Sequence, residues 1–186
     1  NRVLAAIFVT TIFILNFGCN KDNPNKLNLS GRVNNIESGK VYLKRYDNKS
    51  FFTIDSTDIV NGSFKFNTEV TLPEIYGLSL KGSDDDPFNT FLIFLDNNPI
   101  TVQLDTLEEF AKTVVKGSAE HDLYLKIRSE RDKTVNEFIG EHPSSIAALY
   151  VFYRYHSFRL TPEEIKEGIA LLDPKLQNSK YVATLN

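Results

Sequence analysis

The sequence predicts an α+β protein, with an N-terminal antiparallel β-sandwich or barrel-like sheet of seven or eight strands followed by a C-terminal helical segment. Three observations carry this. From Leu27 to about Val115, apolar and polar residues alternate, as they do along a strand with one face buried. Gly, Asn, Asp and Pro interrupt that stretch at short intervals, the punctuation of turns. From Ser118 onward the apolar spacing lengthens to three and four, the period of a helix.

Taken in order, "KLNLSGRV", "GKVYLKRY", "SFFTIDSTDIV", "GSFKFNTEV", "EIYGLSL", "NTFLIFL" and "ITVQLD" read as strands. In "GKVYLKRY", Val41 and Leu43 face one side while Lys40, Tyr42 and Lys44 face the other. "NTFLIFL" is apolar almost throughout and reads as a central strand covered on both faces. Asp47-Asn48-Lys49 and Asn61-Gly62 are turn chemistry, the second a hairpin signal. A single helical face then runs through Leu123, Ile127, Thr134 or Val135, and Phe138 until Gly140 and Pro143 end it. Ser144 caps a second helix that carries Ile146, Leu149, Val151 and Phe152. In "TPEEIKEGIALLDP", Thr161 is the cap, Pro162 takes the first turn, Glu164 completes a capping box and Asp173-Pro174 stops the helix. "NSKYVATLN" opens another helix.

Composition is that of an ordinary globular domain: 41% hydrophobic and 24% charged residues, with a net charge of -3. No basic stripe marks a nucleic-acid surface. The single cysteine, Cys19, stands at the foot of an apolar run from Val3 to Phe17 and before the polar "NKDNPNK". That run is shorter than the ~20 residues of a membrane span and suits the apolar core of a secretion signal. The chain opens on Asn1 and has no methionine, so part of the leader is expected upstream. Gly18-Cys19 resembles the cleavage site of a bacterial lipoprotein signal, although Asn16 holds the place where such signals usually carry Leu, and Leu15 lies one earlier. Residues 1–18 then read as signal peptide, Cys19 as the lipidation site and residues 19–26 as the tether. Asn20 after the cysteine favours the outer membrane. The competing readings of Cys19 are a core residue of a short buried helix and a catalytic thiol; no cluster of cations stands near it to depress its pKa.

No catalytic signature is legible. His121, His142 and His156 lack the close spacing of a helical zinc pair. "GSDDDPFN" gathers carboxylates without the alternating ligands of a calcium loop and reads as a solvated turn. No phosphate-cradling glycine loop and no G-x-S-x-G elbow occur. Phe51, Phe52 and the tyrosines at 42, 46, 76, 150, 153 and 155 read as core. Catalytic, cofactor and metal residues are therefore expected to be none.

Gly31-Arg32-Val33, "GKVYL" at 39–43, "IDST" at 54–57 and "GSFKF" at 62–66 occur in one order along the chain. "FLDNNPITVQLD", "VVKGSAEHD" and "HPSSIAALYVFYRY" follow. This series resembles the N-terminal domain of unknown function that precedes a thioredoxin-like domain in bacterial thiol–disulfide interchange lipoproteins of the TlpA or peroxiredoxin-like type. The resemblance divides the chain into a β-rich accessory domain at 27–117 and a helical segment at 118–186, with the thioredoxin-like domain expected downstream in the same chain. That domain would carry a C-x-x-C pair, in which one thiolate attacks and the other resolves the mixed disulfide. This chain has no such pair, so the implied role is non-catalytic: positioning the redox domain or its protein clients in an envelope lipoprotein, periplasm-facing or surface-exposed. Two other classes remain, a membrane-anchored β-sandwich binding module for glycan or protein, and an enzyme whose residues assemble only in the fold. Asp55-Ser56-Thr57 and Asp105-Thr106-Leu107 also resemble an O-glycosylation acceptor pattern of some bacterial envelopes, which would mark Ser56 and Thr106.

Overall fold

The computed structural model describes residues 25–84, 89–130 and 132–185. The expected signal peptide, Cys19 and most of the expected tether lie outside the described residues. Eight strands form one mixed sheet: β1 (Leu29–Val33), β2 (Ser38–Asp47), β3 (Ser50–Val60), β4 (Ser63–Phe66), β5 (Glu74–Ser79), β6 (Phe91–Leu95), β7 (Ile100–Leu104) and β8 (Val114–Lys116). Their order across the sheet is β6-β5-β2-β3-β4-β1-β7-β8. The sheet curls into a half-barrel rather than folding into two facing layers, and the expected α+β architecture is otherwise present.

The turns do what their residues demand. Asn48 and Lys49, with φ of 43° and 64°, reverse the chain between β2 and β3. Asn61 and Gly62, with φ of 50° and 73°, do so between β3 and β4. Positive φ at both central positions matches the twist of the flanking strands. The one departure from an antiparallel sheet is the pairing of β1 with β7, which run parallel from Leu29 opposite Ile100 to Val33 opposite Leu104. Local periodicity cannot reveal this, because the partners are brought together from distant parts of the chain.

A bulge between Leu43 and Lys44 shifts the β2–β3 register, leaving Ile54 as the extra residue on β3. The shift explains an otherwise odd alternation. Phe51 packs under the helices while Ile59, at the same parity, lies inside the half-barrel. One extra residue has moved the first part of β3 onto the opposite face. On β2, Lys44 is only 1% exposed, and its ammonium donates to the Ser83 carbonyl.

Six helices follow: α1 (Ala119–Ser129), α2 (Val135–Glu141), α3 (Ile146–Val151), α4 (Pro162–Ala170), α5 (Pro174–Gln177) and α6 (Lys180–Leu185). The expected single helix through Leu123 and Phe138 is two. It breaks after Ser129, and α2 restarts behind a capping box in which Thr134 and Glu137 bond each other's backbone N–H. α3 is capped by Ser145, not Ser144, whose hydroxyl instead meets the Asp173 carboxylate. The Thr161–Glu164 box of α4 is present, but α4 ends at Ala170 and Asp173-Pro174 starts α5. Phe152–His156 winds as a π-helical turn directly after α3.

"NTFLIFL" is covered on both faces, as expected, yet β6 lies at the end of the sheet rather than its centre. Phe94 points to the helices; Ile93 and Leu95 point into the half-barrel. The second cover comes from the helices, with α1 packed against the strand.

Candidate functional site

A curled sheet that does not close leaves two bare edges. Here β6 and β8 are those edges, and a cleft of about 590 Å3 opens between them. Its walls come from three sources: Thr90 to Leu92 on the β6 side, the loop around Phe110 leading into β8, and the α1 face bearing His121, Tyr124 and Leu125. Phe91 and Phe110 meet across the floor with ring centroids 6.0 Å apart, and the His121 ring lies 5.8 Å from Phe91. Glu109, in the left-handed region at φ 53°, and Phe110, at φ 68°, turn the loop back across the opening.

The start of α1 seals half of the β6 edge. Ser118, the N-cap, accepts from the His121 backbone N–H at 3.0 Å and donates its own hydroxyl to the Phe94 carbonyl at 2.7 Å. The Phe94 N–H donates to His121 Nδ1 at 3.5 Å. An accepting Nδ1 places the proton of the neutral ring on Nε2. Burial, partly offset by the Asp122 carboxylate, holds the His121 imidazole down at about 4. Asp96 accepts from the Ala119 N–H at 2.9 Å, so a carboxylate sits at the positive end of α1. Glu120 repeats the device two helices on, accepting from Ser145 Oγ at 2.6 Å and the Ala147 N–H at 2.9 Å at the start of α3.

The other half of the β6 edge is bare. The outward turn of the Phe94 N–H and C=O fixes the direction of those of Leu92, two residues earlier on the same edge. They point into the cleft, and no described group meets them. Thr90, just before β6, has its Oγ1 buried without a hydrogen-bond partner among the described residues. Its methyl group occupies the space above Gly77, where a Cβ would lie 2.3 Å from Thr90 Cγ2. Val114 and Leu125 on the walls are 46% and 54% exposed.

Of the residues singled out from sequence, only His121 lines this cleft. Cys19 falls outside the described residues. Ser56 is exposed on β3 and its N–H donates to Asp55; Thr106 is half-buried just after β7. The three histidines are on separate elements: His121 within α1, His142 at the end of α2 and His156 at the end of the π-helical turn. In the acidic loop, residues 85–88 lie outside the described residues. Asp84 accepts from both the N–H and the hydroxyl of Thr53 at 2.8 Å, bonds that hold its carboxyl below the usual range. Phe51 and Tyr46, Tyr76, Tyr150 and Tyr153 are core, as expected, whereas Phe52 is 43% exposed. The cleft was missed. Its residues come from three short segments between Thr90 and Leu125 that share no local pattern and meet only because the sheet leaves β6 and β8 as its two unclosed edges.

The model of the domain of unknown function DUF4369 matches residues 27–124, more than half of the chain. That span holds all eight strands and the half of α1 that seals β6. No curated protein and no solved structure matches the chain. With its sheet, both edges and every cleft wall residue but Leu125 inside the matched span, the chain belongs to the DUF4369 family.

Proposed function

We propose that this chain is the non-catalytic N-terminal part of an envelope lipoprotein linked to thiol–disulfide exchange, anchored through Cys19, and that it positions a downstream thioredoxin-like domain or its clients. Its membership of a family of domains of unknown function and the ordered series from Gly31-Arg32-Val33 to "HPSSIAALYVFYRY" support this. The observation that carries the positioning role is the docking of α6. Tyr181 Oη donates to Glu74 Oε1 at 2.6 Å, and Lys180 Nζ donates to the Tyr46 carbonyl at 2.7 Å while lying 3.3 Å from Glu74 Oε2. Tyr181 and Val182 are buried. Chain leaving such a helix departs in a direction set by the sheet, as a spacer for a partner domain requires. The test is the protein expressed from its own gene. It is expected to continue past Asn186 into a domain with a C-x-x-C pair at a helix start, and to carry palmitate that Cys19→Ser removes. A continuation without a cysteine pair would reject the redox link. A second reading, the membrane-anchored binding module, has the open cleft between β6 and β8 in its favour.

A further inference from the structure

We infer that the cleft between β6 and β8 binds an extended polypeptide segment from a partner protein, added as a strand at the bare part of the β6 edge. The partner segment has apolar side chains at alternate positions and a basic residue opposite Glu109. Three features select this occupant. The Leu92 N–H and C=O offer one donor and one acceptor in strand geometry, and an incoming backbone supplies the complement of both. The walls beside them are apolar and partly open to solvent at Val114 and Leu125, which suits side chains at every second position of an added strand. Glu109 is the acidic residue on the wall and offers an opposite charge to a basic side chain of the partner segment. The sealing of Phe94 by Ser118 and His121 marks where the added strand must stop.

The inference holds whether the chain serves a redox domain or acts as a binding module. A bound peptide together with a downstream frame lacking a C-x-x-C pair would keep this inference and remove the redox one. The test uses the full chain in mild detergent and a fluorescein-labelled peptide of about seven residues, the length of one strand. The peptide alternates Val and Thr and carries one central Lys. Fluorescence anisotropy is expected to show saturable binding. Methylating alternate backbone nitrogens of the peptide should weaken it about tenfold or more, because the peptide N–H that donates to the Leu92 carbonyl is then lost and the methyl group blocks close approach to the edge. Leu125→Lys and Val114→Lys, at exposed positions that leave the fold intact, should abolish binding. Glu109→Lys should weaken the Lys peptide about two- to fivefold and favour the same peptide carrying Glu. Equal affinity for the methylated and unmethylated peptides would overturn the inference, and so would no binding up to about 1 mM, the weakest range of specific association. Sedimentation showing a dimer that Leu125→Lys dissolves would assign the cleft to a second copy and also overturn it.

Discussion

Inside the half-barrel, Leu29, Val41, Leu43, Leu78, Ile93 and Leu104 pack with Phe64 and Phe66, and nearly every buried atom is hydrocarbon. Under the helices, the same sheet presents Tyr46, Phe51 and Phe94 to Tyr150, Tyr153 and Tyr181. There Tyr46 meets Phe51 at 5.2 Å and Tyr150 edge-on at 5.6 Å, and Phe94 meets Tyr124 at 4.8 Å. The aliphatic side needs only shape. The aromatic side must also satisfy hydroxyls, which it does by pairing Tyr181 with Glu74 and setting Arg128 over Tyr155 at 4.2 Å, with a bond to Tyr124 Oη at 3.0 Å. Burial raises the pKa of Tyr46, Tyr124, Tyr150 and Tyr181, so these phenols stay neutral. Tyr76 is the exception on the aliphatic side, its hydroxyl donating to the Thr71 carbonyl at 2.9 Å and burial pushing it up to about 12. Two cores share one sheet but depend on different physics.

Cutting each core at its centre sharpens the contrast. Phe66→Ala and Phe94→Ala should each cost about 3–5 kcal/mol, since both rings are fully buried and leave cavities. Against a typical stability of about 5–15 kcal/mol, either loss is large. Their signatures should differ. Phe94 touches Tyr124, Tyr150 and His121, so its loss should weaken the near-ultraviolet tyrosine signal and expose the helices to proteolysis before the sheet unfolds. Phe66→Ala should keep that signal up to the global transition. Identical behaviour of the two variants in denaturant titrations would erase the distinction.

How far the sequence reached follows the same division. Strand positions were legible because Val41, Leu43 and the Asn61-Gly62 turn act through near neighbours, and periodicity records near neighbours. The parallel pairing of β1 with β7 was not, because it depends on contacts between distant segments. β6 looked central because both its faces are apolar; one face is covered inside the half-barrel and the other by α1, which needs no strand beyond it. The break between α1 and α2 was in principle readable: Thr134 and Glu137 form the same spaced pair as Thr161 and Glu164, but lay within a continuous apolar period. His121 gave no sign of its burial, and the cleft that it lines exists only once an unclosed sheet has been built.

That histidine provides the second way to test the comparison, through pH. The unfolded chain protonates His121 near 6.5, whereas the folded protein resists until about 4. Between those values the unfolded state binds more protons, so stability is complete above 6.5, falls as pH drops through the window, and levels off below about 4. The full window is worth about 3 kcal/mol. His156, lowered first by burial and then by Arg159, contributes in the same direction. Asp84, Glu137 and Glu164 are held below the ordinary carboxylate range, chiefly by backbone N–H groups, and their losses begin at more acidic pH. His121→Asn keeps an acceptor for the Phe94 N–H and cannot titrate. Urea titrations between pH 7 and 4.5 should therefore show a clearly flatter slope for the variant. An unchanged slope would move the pH sensitivity away from this part of the helical side.

The smallest expected effect is a gain, at the point where the two cores meet the cleft. Thr90 lines the cleft, with its methyl group over Gly77 and beside Phe51, and its Oγ1 is buried with no partner among the described residues. A hydroxyl removed from water without a replacement bond carries a desolvation penalty of about 1–3 kcal/mol. Thr90→Val keeps the branched shape and replaces the hydroxyl with a methyl. It should raise stability by about 1 kcal/mol, less than the full penalty because the slightly larger methyl must be accommodated between Gly77 and Phe51. Gly77→Ala offers the opposite control. Its Cβ would fall 2.3 Å from the Thr90 methyl carbon and 2.8 Å from Phe51 Cδ1, so it should destabilise in either background, and less so once Thr90 is shortened to Ser. Paired denaturant curves of the wild type and Thr90→Val decide the matter. A loss of stability in Thr90→Val would mean that the hydroxyl has a partner in solution, such as an ordered water, and that this end of the cleft is a satisfied polar site rather than an unfinished edge of the core.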